Sequence, residues 1–133
     1  MSQIQTTDYS HQITCIDTHY QRPNLAVCYL IEPAGEGVFI NTGTSHTASH
    51  LMDVLAAKGI SSSQVKYVIP THVHLDHAGG TGTLMQQLSN ASLLIHPFGT
   101  KHMSLVRKNR GLFPALVVPQ VCDTGLFQPH DRF

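Results

Sequence analysis

The run Val65-Lys66-Tyr67-Val68-Ile69-Pro70-Thr71-His72-Val73-His74-Leu75-Asp76-His77-Ala78-Gly79-Gly80 decides how this chain reads. Its first part, Val65 to Thr71, is apolar and β-branched, which predicts a strand. Three histidines and an aspartate then fall within six positions, His72 to His77. On a strand, His72 and His74 are two residues apart and share a face. The Gly79-Gly80 pair lets the backbone bend tightly toward a helix, bringing Asp76 and His77 into the same small volume. Neutral imidazole and carboxylate together suit zinc and iron, and the mixture excludes an all-oxygen calcium site. A lone His-x-His is usually a pair of surface or hydrogen-bonded histidines. The adjoining Asp-His, the strand before it and the glycines after it favour a metal site.

His72-Val73-His74-Leu75-Asp76-His77 resembles the H-x-H-x-D-H signature of the metallo-β-lactamase superfamily. The flanks agree, through Asn41-Thr42-Gly43-Thr44 on the preceding strand and Thr71 before the motif. Within that superfamily the chain is similar to the glyoxalase-II-like hydrolases, through Ile16-Asp17-Thr18, Arg22-Pro23 and Ala78-Gly79-Gly80. The resemblance covers about residues 13–103. It implies an α/β fold, the N-terminal half of an αβ/βα sandwich, with a mixed sheet and helices on one face.

The resemblance also implies a ligand set. His72 and His74 would bind a first metal, Asp76 and His77 a second, with zinc expected first and iron as the other candidate. In complete members two divalent cations acidify a bridging water and polarise the attacked carbonyl, and Asp76 helps orient that water. The implied reaction is hydrolysis of a thioester or lactone-type ester of a small-molecule substrate. The family completes its sites with later histidines and a bridging carboxylate that this chain does not show in any family motif. Two alternatives therefore stay open: an inactive metal-binding remnant, and an iron-dependent member using persulfide or oxygen chemistry. The family strand before the metal loop usually ends in Asp, and here the position is Asn41, which hydrogen-bonds without charge.

The rest of the composition sets bounds. The 133 residues allow one domain, and the formal charge is zero, so nothing draws the chain to nucleic acid or to an anionic membrane. No apolar run approaches the length of a membrane span, and residues 1–11 lack a secretory signal. Cys15, Cys28 and Cys122 read as buried thiols of a reducing compartment, so a cytoplasmic protein is expected.

Taken in order, residues 1–12 read as a frayed lead-in. Ile13 to Tyr20 and Leu25 to Glu32 form a hairpin broken at Arg22-Pro23-Asn24, and Val38 to Asn41 is a short strand. Leu25 to Glu32 is apolar on both sides, as expected of a strand covered on both faces. Ser45 caps a helix running to about Lys58, with Gly59 as its stop and Ala48, Leu51, Met52 and Leu55 on its inner face. His46 and His50 read as solvent-facing, and His96 as a structural histidine. Thr83 to Leu88 is helical and Ser92 to Ile95 a strand. Residues 104–133 show no continuation of the family pattern, and Pro114, Pro119 and Pro129 interrupt any long helix. That loss of pattern points to a prematurely ended or shifted reading frame. An uncovered sheet face would then promote self-association. His102, Asp123, His130 and Asp131 are the later residues able to ligate a metal, and none is assigned.

Overall fold

The computed structural model describes residues 5–72, 74–96 and Gly99. Among these, six strands lie side by side in chain order: β1 (Thr6–Tyr9), β2 (Ile13–Asp17), β3 (Val27–Ile31), β4 (Gly37–Ile40), β5 (Val65–Ile69) and β6 (Ser92–Leu93). β1 to β4 form an antiparallel meander, whereas β4, β5 and β6 run parallel. Parallel neighbours need a crossover. Helix α1 (Ala48–Ala57) supplies it between β4 and β5, and α2 (Leu75–Ala78) with α3 (Thr81–Gln87) supplies it between β5 and β6.

The period of two along each strand sorts the sheet into two faces. Register places Thr14, Leu30, Phe39, Val68 and Leu93 in one row across β2 to β6. Every member of that row is buried. Ala48, Leu51, Val54 and Leu55 of α1 and Leu84 of α3 join the same apolar cluster, so both helices cover this face. Burying each such Leu, Val or Phe contributes about 1.5–3 kcal/mol. The next row, Ile13, Ile31, Val38 and Tyr67, lies on the opposite face. There Tyr67 is 41% exposed and Tyr29 36%. β3 is thus sealed on one side only by the described residues, where its sequence suggested cover on both.

Helix α1 ends as its sequence requires. Gly59 has φ +73°. Its N–H donates to Ala56 O at 3.1 Å while Ile60 N donates to Leu55 O at 2.9 Å, satisfying carbonyls that the last turn leaves open. Its start differs from the expected Ser45. Thr47 N donates to Thr44 O at 3.0 Å, closing a turn first, so Thr47 is the cap and the helix begins at Ala48.

The lead-in also differs. Thr6–Tyr9 pairs antiparallel with β2, although its sequence carries little apolar periodicity. Polar links hold it instead: Thr14 Oγ1 donates to Asp8 Oδ1 at 2.9 Å, and Lys58 Nζ donates to the same oxygen at 3.0 Å. None of the described residues belongs to a helix long and apolar enough to cross a membrane. The expected tail over 104–133 lies outside the described residues, as do Val73, His102, Asp123, His130 and Asp131.

Candidate metal centre

The motif residues sit beyond the C-terminal ends of β4 and β5, where adjacent parallel strands leave a crevice. β5 stops at Ile69, so His72 and His74 do not share a strand face. They reach one another by another route. His72 lies in the loop after Pro70, and His74 occupies the N-cap of α2 in an extended conformation, φ −70° and ψ 149°. Its side chain makes no capping bond, so the ring is not spent on the helix. Leu75–Ala78 then makes a single turn that carries Asp76 and His77.

Four residues lock the backbone under that turn. His77 O accepts hydrogen bonds from Thr42 N at 2.8 Å and from Thr42 Oγ1 at 3.2 Å. Thr81 Oγ1 donates to Ala78 O at 2.8 Å and lies 3.2 Å from Thr42 Oγ1. Gly80 N donates to Gly43 O at 2.7 Å. Both threonines are fully buried. Gly80 has φ −88°, open to any residue, so it is not there for a special turn. A Cβ at Gly80 would run into Thr44 O and Thr42 O, and one at Gly79 into Leu75 O. Gly80 is there for close approach of two backbones, whereas at Gly79 a Cβ would meet the carbonyl of its own preceding turn. Gly43, at φ +64°, needs glycine on both counts, because a Cβ would also strike the Thr47 side chain.

Asn41 does the work expected of the usual aspartate. It follows β4 at φ +67°, a conformation that asparagine tolerates. Its N–H donates to Ile69 O at 3.0 Å, and its Oδ1 accepts from Thr71 N at 2.9 Å and Thr71 Oγ1 at 3.0 Å. Thr71 Oγ1 in turn lies 2.9 Å from His72 Nδ1.

Three imidazoles gather at the tip. The His72 ring centroid is 4.9 Å from that of His74 and 4.2 Å from that of His77. His77 Nε2 lies 3.2 Å from Asp76 Oδ2. His77 Nδ1 is buried and makes no hydrogen bond. Burial first, then the neighbouring His77 and His74, pushes the His72 pKa below its ordinary 6.5, against the opposing charge of Asp76. That direction favours the neutral ring, the form that ligates a metal. In kind and proximity these donors fit a divalent cation. They do not close around one: among the described residues no three His, Cys, Asp or Glu side chains are set to hold an ion together. Asp76 Oδ2 faces His77 Nε2 instead of a shared point.

A family model for the metallo-beta-lactamase superfamily matches residues 22–128. The chain belongs to the metallo-beta-lactamase superfamily. The match runs on past residue 103, where the motif reading stops. Rat metallo-beta-lactamase domain-containing protein 1 is 35% identical over 69 residues, which is 51% of this chain and 26% of that protein. Among solved structures, a HARLDQ-motif mutant of a Cronobacter sakazakii metallo-beta-lactamase superposes with TM-score 0.67 at 21% identity, over 88% of this chain and 44% of that one. BJP-1, a subclass B3 metallo-beta-lactamase of Bradyrhizobium japonicum, superposes with TM-score 0.65 at 21% identity, over 85% and 43%. At that identity the likeness is one of fold: a mixed six-stranded sheet with helices, which is the α/β architecture of the superfamily. The chain spans about a quarter of the curated relative, 26%, and under half of these two structures. Members of the superfamily typically bind divalent metal ions, often zinc.

The structure thus sets the His72 ring beside those of His74 and His77, with Asp76 against His77. His46 is exposed ahead of α1, as expected, whereas His50 is half-buried within the helix and not solvent-facing. Sequence reasoning missed the Thr42–Thr81 pair. Thr42 after the strand and Thr81 after Gly79-Gly80 were the available signal, but their contact spans 39 residues and no local pattern joins them.

Proposed function

We propose that this chain is a metal-dependent hydrolase cleaving thioester or lactone-type esters, with His72, His74, Asp76 and His77 holding one or two divalent ions. Zinc is the first candidate and iron the second, since imidazole and carboxylate accept both. One observation carries the reading: His72 lies 4.2 and 4.9 Å, centroid to centroid, from two further imidazoles, beside Asp76, above a turn locked by Thr42 and Thr81. A bound divalent ion supplies a water acidified toward neutral pH and an electrophile for the carbonyl oxygen. The chain's own residues do the positioning. His72, neutral and anchored by Thr71, offers a lone pair, and His77 carries a buried, unsatisfied Nδ1. Asp76, half-buried with Oδ2 3.2 Å from His77 Nε2, would be the carboxylate that accepts a proton and orients a water.

A second reading has its own support. No three donors among the described residues are set to hold one ion, and catalytic zinc usually has three protein ligands. On that reading the chain binds metal weakly and turns nothing over. Full-length chain purified without added metal, analysed for zinc and iron, and assayed on thioesters, lactones and a β-lactam decides between them. The hydrolase reading expects turnover that chelator removes, zinc restores and Asp76→Asn abolishes. Metal bound without turnover on any substrate favours the silent reading, and no metal at all sinks both.

A further inference from the structure

The Thr71 hydroxyl sits between two groups, Asn41 Oδ1 and His72 Nδ1, that cannot both take its one proton. Asn41 Oδ1 accepts the Thr71 backbone N–H, which fixes the amide so that its oxygen, not its NH2, faces Thr71. The contact of 3.0 Å between Thr71 Oγ1 and that oxygen is therefore a hydrogen bond only if the hydroxyl donates. A hydroxyl has one proton. His72 Nδ1, 2.9 Å from the same Oγ1, must then be the donor of the remaining bond. A neutral imidazole with its proton on Nδ1 has its lone pair on Nε2.

We infer that Thr71 is a positioning residue: with Asn41 it holds His72 in the Nδ1–H tautomer and so presents Nε2 to the centre. The inference rests on the proposed metal-centre reading for its purpose but not for its existence, because the relay is complete without an ion. The direction of the proton matters. Histidine free in water prefers the opposite tautomer, with the proton on Nε2, which would block the nitrogen that faces away from Thr71. Asn41 is suited to the task because it accepts both Thr71 protons, from the N–H and the O–H, on one buried oxygen. Neutral where the family usually has a carboxylate, it should make His72 a somewhat poorer electron donor than an aspartate would.

Long-range proton–nitrogen correlation spectra of the full metal-free chain, labelled at histidine nitrogen, read the tautomer directly at a pH above the imidazole range. The His72 signals are assigned by their loss in His72→Gln. Wild-type protein should show the Nδ1–H form. Thr71→Val should move His72 toward the Nε2–H form, while Thr71→Ser and Asn41→Asp should retain the wild-type form. In parallel, zinc affinity should fall about tenfold or more in Thr71→Val and stay within about twofold in Thr71→Ser. A wild-type His72 protonated on Nε2, or a tautomer unchanged by Thr71→Val, would overturn the relay, and the wild-type spectrum decides even if a variant fails to fold. An Nδ1–H tautomer in a chain that binds no zinc would support the relay while overturning the metal-centre reading.

Discussion

Thr42, Gly43, Gly80 and Thr81 are buried and bonded into the sheet's end, whereas His72 and His74, a few residues away, are exposed. The first group is fixed by backbone approach and buried hydroxyls, so most changes there force something to move. The second group makes few packing contacts that a substitution could remove. A rigid platform carrying an exposed cluster of donors is the arrangement by which folds place chemistry on loops. The cost of precision is borne by the threonines and glycines, and the ligands themselves are left free to bind.

That difference can be broken from its most rigid part outward. Phe39 is fully buried in the row beneath the site, and Phe39→Ala should cost about 3–5 kcal/mol in a denaturant titration. Zinc affinity, measured where the variant remains folded, should change far less than stability. Gly80→Ala comes next, because its Cβ would meet the carbonyls of Thr44 and Thr42. It should cost about 1–3 kcal/mol and also lower zinc affinity, since the strands' ends must part to admit the methyl group. At the tip the order reverses. His74→Ala should leave stability within about 0.5 kcal/mol of wild type and still remove most zinc binding. An equal loss of stability in His74→Ala and Gly80→Ala would erase the distinction.

The smallest effect is in pH dependence. Partial desolvation of the largely exposed ring and the adjacent imidazoles hold His72 below its ordinary 6.5, so the unfolded ring takes up a proton more readily than the folded one. The sign follows: nothing is lost above 6.5, and stability and the His72 lone pair are both lost as pH falls from 6.5 through the lower folded value. Zinc affinity measured down the pH scale should therefore hold steady to 6.5 on the account of His72, and His72→Gln should remove that ring's part of the later fall.

Much of this was legible in the residues. The His72–His77 pattern, the strand before it, the hairpin of β2 and β3 and the Gly59 stop all follow from spacing and backbone preference. What escaped was whatever depends on contact between distant segments. β1 is held by Lys58 and Thr14, fifty and six residues from Asp8, which no local pattern reveals. Gly80 looks like a turn former, yet it serves close packing against Thr42 and Thr44. His72 and His74 meet in the loop after β5, not because a strand alternates, and α2 then turns His77 back against His72. The role of Asn41 was half visible: its loss of charge could be read, but its two bonds to Thr71 required the fold.

The most direct test of the central claim is metal content per chain, by elemental analysis on a monodisperse fraction of full-length protein purified metal-free and then equilibrated with zinc. At least about one ion per chain is expected, lost in both His72→Ala and Asp76→Asn with the fold retained. A chain that stays metal-free, or whose metal survives both substitutions, would contradict it.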